Sequence, residues 1–257
     1  MFRMLAARTI AVLFVLLPPI LSGPGSAIAQ SQVSVSAIDP AELLSQMPAA
    51  AEPFGLSAVP VMSGELLTKW SGVAADIRAE TDILARCRDA AQFCPAAAQK
   101  LLAVIADGRA HTGRARIGVI NRAVNLAIKA TTDLVQWGVP DRWSAPLETF
   151  ASGRGDCEDY AIAKYVALTE AGVSEDDVKL VIVRNLAADE DHAVVAARLD
   201  DKWMVLDNRW MPLVEDMDMP RVIPLFVFDH DGVKQFMPKT MAGARDVRPS
   251  APSSLRF

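Results

Sequence analysis

The chain has 257 residues, 51% of them hydrophobic, with 31 acidic against 26 basic side chains and a net charge of −5. A mildly acidic chain is a poor match for nucleic acid or an anionic membrane surface. The length is enough for one well-cored domain.

The first residues read as a signal peptide. Arg3 and Arg8 form a basic region, Thr9 to Leu21 is an apolar stretch broken by Pro18 and Pro19, and Ala27-Ile28-Ala29 fits a small-residue cleavage site. The expectation is a leader over 1–29, cleavage before Gln30 and a periplasmic protein. Residues 30–60, rich in Ala, Ser and Pro, read as a loose N-terminal lead. The folded domain is expected over 61–240, and 241–257 reads as a mobile tail.

Helices come first. Leu66, Trp70, Val73, Ile77 and Leu84 recur at helical spacing after Ser63, a candidate N-cap. Pro95 is placed to open a second helix carrying Leu101, Leu102 and Ile105 inward. A third follows Gly113, with Ile117, Ile120, Val124 and Ile128. Cys87 and Cys94, seven residues apart at the turn between the first two, are expected to pair after export. A fourth helix is predicted over 155–172, capped by Asp156 or a neighbour and stopped by Gly172.

The period then changes. Lys179–Arg184, Ala193–Leu199, Trp203–Leu206 and Val222–Phe228 read as strands, with Asp200-Asp201-Lys202 as a tight hairpin turn. Helices followed by an antiparallel sheet make the fold class α+β.

The third cysteine carries the chemistry. Cys157 lies in Gly155-Asp156-Cys157-Glu158-Asp159-Tyr160, where a helix should begin, and it has no cysteine left to pair with. An idle thiol is a liability in an oxidising compartment, and a helix N-terminus stabilises a thiolate. A thiol nucleophile needs a base and an acceptor to orient it. His192 opens one predicted strand and Asp207 closes the next, so a hairpin turning at 200–202 brings them toward one end of the sheet. Singly, each has a plain reading: a buried thiol, a structural histidine, a turn signal. His111, between helices, and His230, in Asp229-His230-Asp231-Gly232, have no comparable setting and read as structural.

These residues resemble the transglutaminase-like branch of papain-type enzymes. Gly155-Asp156-Cys157-Glu158-Asp159-Tyr160-Ala161, Asp191-His192-Ala193-Val194 and Leu206-Asp207-Asn208 are similar to the bacterial transglutaminase-like cysteine proteinases. Asp141-Arg142-Trp143 and Pro146-Leu147-Glu148-Thr149 extend the likeness, which covers roughly residues 121 to 228. The resemblance implies a Cys157-His192-Asp207 triad on a papain-like fold, with Trp143 a candidate wall of the site. For the LapG-type members it implies a periplasmic endopeptidase. Its substrate is the N-terminal region of a large surface adhesin, cut after a paired-alanine motif to control biofilm attachment. It also implies an inner-membrane cyclic-di-GMP receptor of LapD type as partner.

Three acids, Asp156, Glu158 and Asp159, crowd Cys157 and should raise its pKa unless neutralised. Acids at a helix start also simply complement the dipole. The resemblance implies calcium, with Asp156 and Glu158 as ligands, whereas a zinc site lacks further ligands. The triad alone leaves open a transglutaminase or a cell-wall amidase, because only the group resolving the thioester differs. A non-enzymatic, calcium-responsive binding domain is the third alternative.

Overall fold

The computed structural model describes residues 52–90 and 94–238. The expected leader, most of the lead and the expected tail lie outside the described residues.

The helices are α1 (Glu65–Asp89), α2 (Ala96–Arg109), α3 (Gly113–Ala127), α4 (Asp133–Trp137), α5 (Pro146–Ser152) and α6 (Cys157–Glu170). The strands are β1 (Ala58–Pro60), β2 (Lys129–Ala130), β3 (Arg154–Gly155), β4 (Val178–Asn185), β5 (Glu190–Leu199), β6 (Lys202–Leu206), β7 (Val214–Glu215), β8 (Val222–Asp229) and β9 (Gly232–Phe236). Seven strands form one antiparallel sheet in the order β1-β9-β8-β4-β5-β6-β7, while β2 and β3 make a short parallel pair. The fold is α+β, as expected. No helix among the described residues is long and apolar enough to cross a membrane.

Helix α1 buries Trp70, Val73, Leu84 and Cys87 at the predicted spacing. The Trp70 indole donates to the Asp229 carbonyl at 3.0 Å and stacks edge-on against Tyr165 and Phe228. Ser63 is not the cap: Gly64 holds that position at φ 124° with no side-chain cap bond, because the chain enters the helix through a backbone turn open to glycine. Cys87 and Cys94 form the expected disulfide at the α1–α2 turn. Pro95 sits at the N-cap of α2, one residue before the helix it was expected to open. Where α2 and α3 meet, a Cβ on Gly108 would fall 2.6 Å from Ile120 Cδ1, so only glycine permits that approach.

Helix α6 is the hub: every residue from Cys157 to Leu168 is buried. One face of the sheet packs on it through Leu180, Ile182, Ala193, Val195, Leu206 and Phe226. The opposite face has its own core of Val181, Val183, Val194, Ala196, Val205 and Val227 with Phe54 and Phe236. Burial on both faces explains why β4 reads as a continuous apolar run rather than an alternation. Phe54 and Ala58–Pro60 belong to this fold, although residues 30–60 were expected to form a loose lead. Phe54 packs against Phe236, and β1 pairs with β9 from Ala58↔Phe236 to Pro60↔Lys234. Three paired residues are too few to show a strand period in sequence.

Candidate active site and acidic cluster

Cys157 is the first residue of α6, with Asp156 at the N-cap position. The preceding strand β3 is pinned to the end of α3: Lys129 pairs with Arg154, the Thr131 N–H donates to the Gly155 carbonyl at 3.0 Å, and the Tyr160 hydroxyl donates to the Ile128 carbonyl at 2.6 Å. The Cys157 backbone is therefore fixed from both sides of the turn.

His192 is the third residue of β5, not its first, since the strand begins at Glu190. Asp207 follows directly on β6. Strand β6 pairs with β5 only from Val195 to Leu199, which leaves the 190–194 edge of β5 clear of it. At that edge His192 Nε2 meets Asp207 Oδ1 at 2.9 Å. The same oxygen accepts the Arg209 N–H at 2.9 Å, and the Asp207 carbonyl accepts Asn125 Nδ2 from α3 at 2.9 Å. Cys157 begins the helix that packs on β5, and the N–H of Ala193, the residue after His192, acts on its thiol. The other ring nitrogen, His192 Nδ1, is buried without a hydrogen-bond partner. All three predicted residues are thus brought to one place, and all are buried. His111 lies in the link between α2 and α3, bonded to the Asp107 carbonyl at 2.8 Å, and His230 lies on the turn between β8 and β9. Trp143 packs on Phe228 at a 5.4 Å centroid distance, a core contact.

Burial alone would raise the Asp207 carboxyl, but His192, the Arg209 N–H and Lys164 outweigh it and hold it below the ordinary carboxylate value. Cys157 goes the other way. Burial pushes the thiol well above its ordinary value, the Glu158 carboxylate adds to this, and the Ala193 N–H only partly opposes it. The thiol donates to Glu158 Oε2 at 3.2 Å.

Around this turn lie five carboxylates: Asp133, Asp141, Asp156, Glu158 and Asp159. Ligand atoms of Asp133, Asp141 and Glu158 lie within 4.8 Å of one another, as do those of Asp133, Asp156 and Asp159. Each of the five has one buried oxygen with no hydrogen-bond partner. In four of them the second oxygen is held: Asp133 by the Arg142 N–H, Asp141 by Lys69, Asp159 by the Ser144 N–H at 2.8 Å, and Glu158 by the Cys157 thiol. Burial raises Asp133 to about 6 and Asp159 to about 8, despite their backbone donors, and pushes Asp156 up and Glu158 well above the usual range. Free buried oxygens that converge at fixed positions are what a hard cation with oxygen preference requires. Gly155 belongs to this arrangement, because a Cβ there would lie 2.5 Å from Asp159 Oδ2.

The family described as bacterial transglutaminase-like cysteine proteinase matches residues 79–216, more than half of the chain. The chain belongs to that family. No curated protein sequence matches it. Among solved structures, Legionella pneumophila LapG is similar at 21% identity and a TM-score of 0.50, over 60% of this chain and 86% of LapG. A calcium-bound form of the same protein gives 22% and 0.51, over 59% and 87% of the two chains. An EGTA-treated form gives 20% and 0.51, over 63% and 91%. At these identities the likeness establishes the transglutaminase-like fold.

For a cysteine proteinase the arrangement has the required parts: a thiol at a helix N-terminus, a histidine with one nitrogen tied and one free, and a carboxylate to tie it. Beside His192 and Asp207, on the sheet face away from α6, a small open cleft is walled by Val205, Val214, Met219 and Val222, with Trp210 exposed on its rim. Sequence reasoning named Asp156 and Glu158 as metal ligands, and did not single out Asp133, which belongs to both acidic groups. Asp141 was singled out only for family likeness, and Asn125 and Lys164 were not singled out. A lone Asp at the start of a five-residue helix gives no sequence signal of its own.

Proposed function

We propose that this cysteine proteinase is a periplasmic, calcium-dependent endopeptidase that uses Cys157 as nucleophile, His192 as base and Asp207 as orienting acceptor. The observation that carries the reading is the division of the His192 ring: Nε2 on Asp207 at 2.9 Å and Nδ1 free. Asp207 holds the proton on Nε2, which leaves a lone pair on Nδ1. Nδ1 takes the thiol proton, and the thiolate attacks a substrate backbone carbonyl to form a tetrahedral adduct. The Cys157 backbone N–H, unused by the helix at its first position, donates to the oxyanion. The imidazolium then gives its proton to the leaving amine. Water, deprotonated by Nδ1, resolves the thioester and restores the thiol.

Asp133, Asp141, Asp156, Glu158 and Asp159 fit calcium because each offers an orphaned buried oxygen. The calcium-bound LapG structure is consistent with that choice of metal. Bound there, calcium would neutralise the acids beside the nucleophile, and these five residues would hold it.

The substrate we propose is the N-terminal region of a large surface adhesin, with an inner-membrane cyclic-di-GMP receptor of LapD type as regulator. An adhesin fragment with a paired-alanine site, incubated with and without chelator, tests this. Cleavage is expected with calcium, is lost in Cys157→Ala, and falls at least 100-fold in Asp207→Asn. Cleavage by Cys157→Ala would refute the mechanism. An alkylatable Cys157 with no cleavage would transfer the reading to an amidase or amide transferase.

A further inference from the structure

The ladder between β5 and β6 stops at Val195↔Leu206, one residue short of Asp207. Backbone pairing therefore does not hold Asp207 against His192. The segment that follows is tied to α3, where Asn125 donates to the Asp207 carbonyl at 2.9 Å and Asn121 to the Met211 carbonyl at 3.1 Å. Two side-chain pairs join the same segment to β5. One is His192–Asp207 at 2.9 Å. The other is Glu190–Arg209, with a guanidinium nitrogen 2.7 Å from Glu190 Oε1.

The two pairs are successive rungs across one gap. Glu190 precedes His192 by two residues on β5, so both side chains leave the same face of the strand. Arg209 follows Asp207 by two residues, and its backbone N–H donates to Asp207 Oδ1 at 2.9 Å. The inner rung is nearly dry, with the His192 and Asp207 side chains 3% and 8% exposed. The outer rung faces solvent, with Arg209 39% and Glu190 34% exposed. An ion pair that exposed adds little to folding stability. Aim is a different matter, because a reacting group displaced by about 1 Å can cost roughly 100-fold in rate.

We propose that Glu190 and Arg209 are positioning residues for the His192–Asp207 pair: their ion pair clamps the segment leaving β6 onto the edge of β5, and so fixes the Asp207 carboxylate where it aims the imidazole. This rests on the triad reading above. The Arg209 backbone N–H already holds Asp207 Oδ1, so a guanidinium anchored on Glu190 also keeps that N–H in place.

The test is a charge-reversal cycle in the full chain: Arg209→Glu, Glu190→Arg and the two together, with Arg209→Gln as the neutral variant. The readouts are Tm, turnover of the adhesin fragment, and solvent exchange of the His192 Nε2 proton. The last is followed by NMR of labelled histidine in a Cys157→Ala background. Arg209→Gln is expected to lower kcat about fivefold at similar KM, to move Tm by less than about 2 °C, and to speed the exchange about fivefold or more. Each single reversal should cost at least as much. The double reversal rebuilds the pair in the opposite sense and should bring kcat and exchange back to within about twofold of wild type. A pair that served the fold alone would lower Tm and leave kcat and exchange unchanged. Unchanged exchange in Arg209→Gln, or a double reversal no better than the single ones, overturns the proposal. The exchange rate needs no turnover, so it decides the clamp separately from the triad, which cleavage by Cys157→Ala decides.

Discussion

The Cys157 thiol donates to Glu158 Oε2 at 3.2 Å, while the base nitrogen of its expected partner, His192 Nδ1, has no hydrogen-bond partner. The nucleophile is thus engaged by a carboxylate that raises its pKa instead of by the base that would ionise it. Neutralising Glu158 and Asp156 removes both the charge and the acceptor that favour the protonated thiol. Calcium should therefore speed alkylation of Cys157 by iodoacetamide at pH 7, by about tenfold or more over chelated protein. Equal rates in the two buffers would show that the acids do not control the thiol.

The same cluster sets a pH dependence of stability. Asp133 and Asp159 have folded-state values raised to about 6 and about 8, and Asp156 and Glu158 are raised as well. Between the ordinary carboxylate range and these raised values the folded chain binds more protons than the unfolded one. Stability is then fully present below about pH 4 as far as these groups are concerned, and is lost as pH rises through 6 and 8. Chelated protein should lose at least about 4 °C in Tm between pH 5 and 8. Calcium should abolish or reverse that slope, because it favours the ionised acids. Differential scanning calorimetry in the two buffers checks it, and a chelated protein more stable at pH 8 than at pH 5 would contradict the raised values.

Much of the site was legible because its chemistry depends on rare residues. Only three cysteines exist, two of them seven apart, so the pairing of Cys87 with Cys94 and the isolation of Cys157 could be read directly. His192 and Asp207 were legible because Asp200 and Asp201 mark the turn; both adopt positive φ there, and strand pairing carries Val195 to Leu206. The start of β5 was not legible, since Glu190 and Asp191 are poor strand formers held in place by pairing with Asn185 and Arg184. Asp133 reaches the cluster from a separate short helix, and that approach is made by the packing of α4 against β3 rather than by any local pattern. Strand β1 is only three residues long, and its pairing with β9, far away in sequence, defines it.

Gly155 tests the cluster without touching a charge. An alanine Cβ there would meet Asp159 Oδ2 at 2.5 Å and its Cβ at 2.6 Å, so the carboxylate must move off the site. Gly155→Ala should cost about 1–3 kcal/mol in folding stability. It should also weaken calcium binding at least tenfold by titration calorimetry, because one of the converging oxygens is displaced. Unchanged affinity would remove Asp159 from the ligand set.

Asn125 offers a test of the support behind Asp207. Its Nδ2 donates to the Asp207 carbonyl at 2.9 Å, and Asn121, one turn earlier on α3, donates to the Met211 carbonyl at 3.1 Å. Together they hold both ends of the segment that carries the triad aspartate. Asn125→Ala removes one neutral hydrogen bond, worth about 1 kcal/mol of stability. Its effect on turnover should exceed that, with kcat down about tenfold and KM little changed, because a small shift of the carboxylate misdirects the His192 ring. A loss of stability with full kcat would mean that the Arg209 N–H and His192 are enough to keep Asp207 in place.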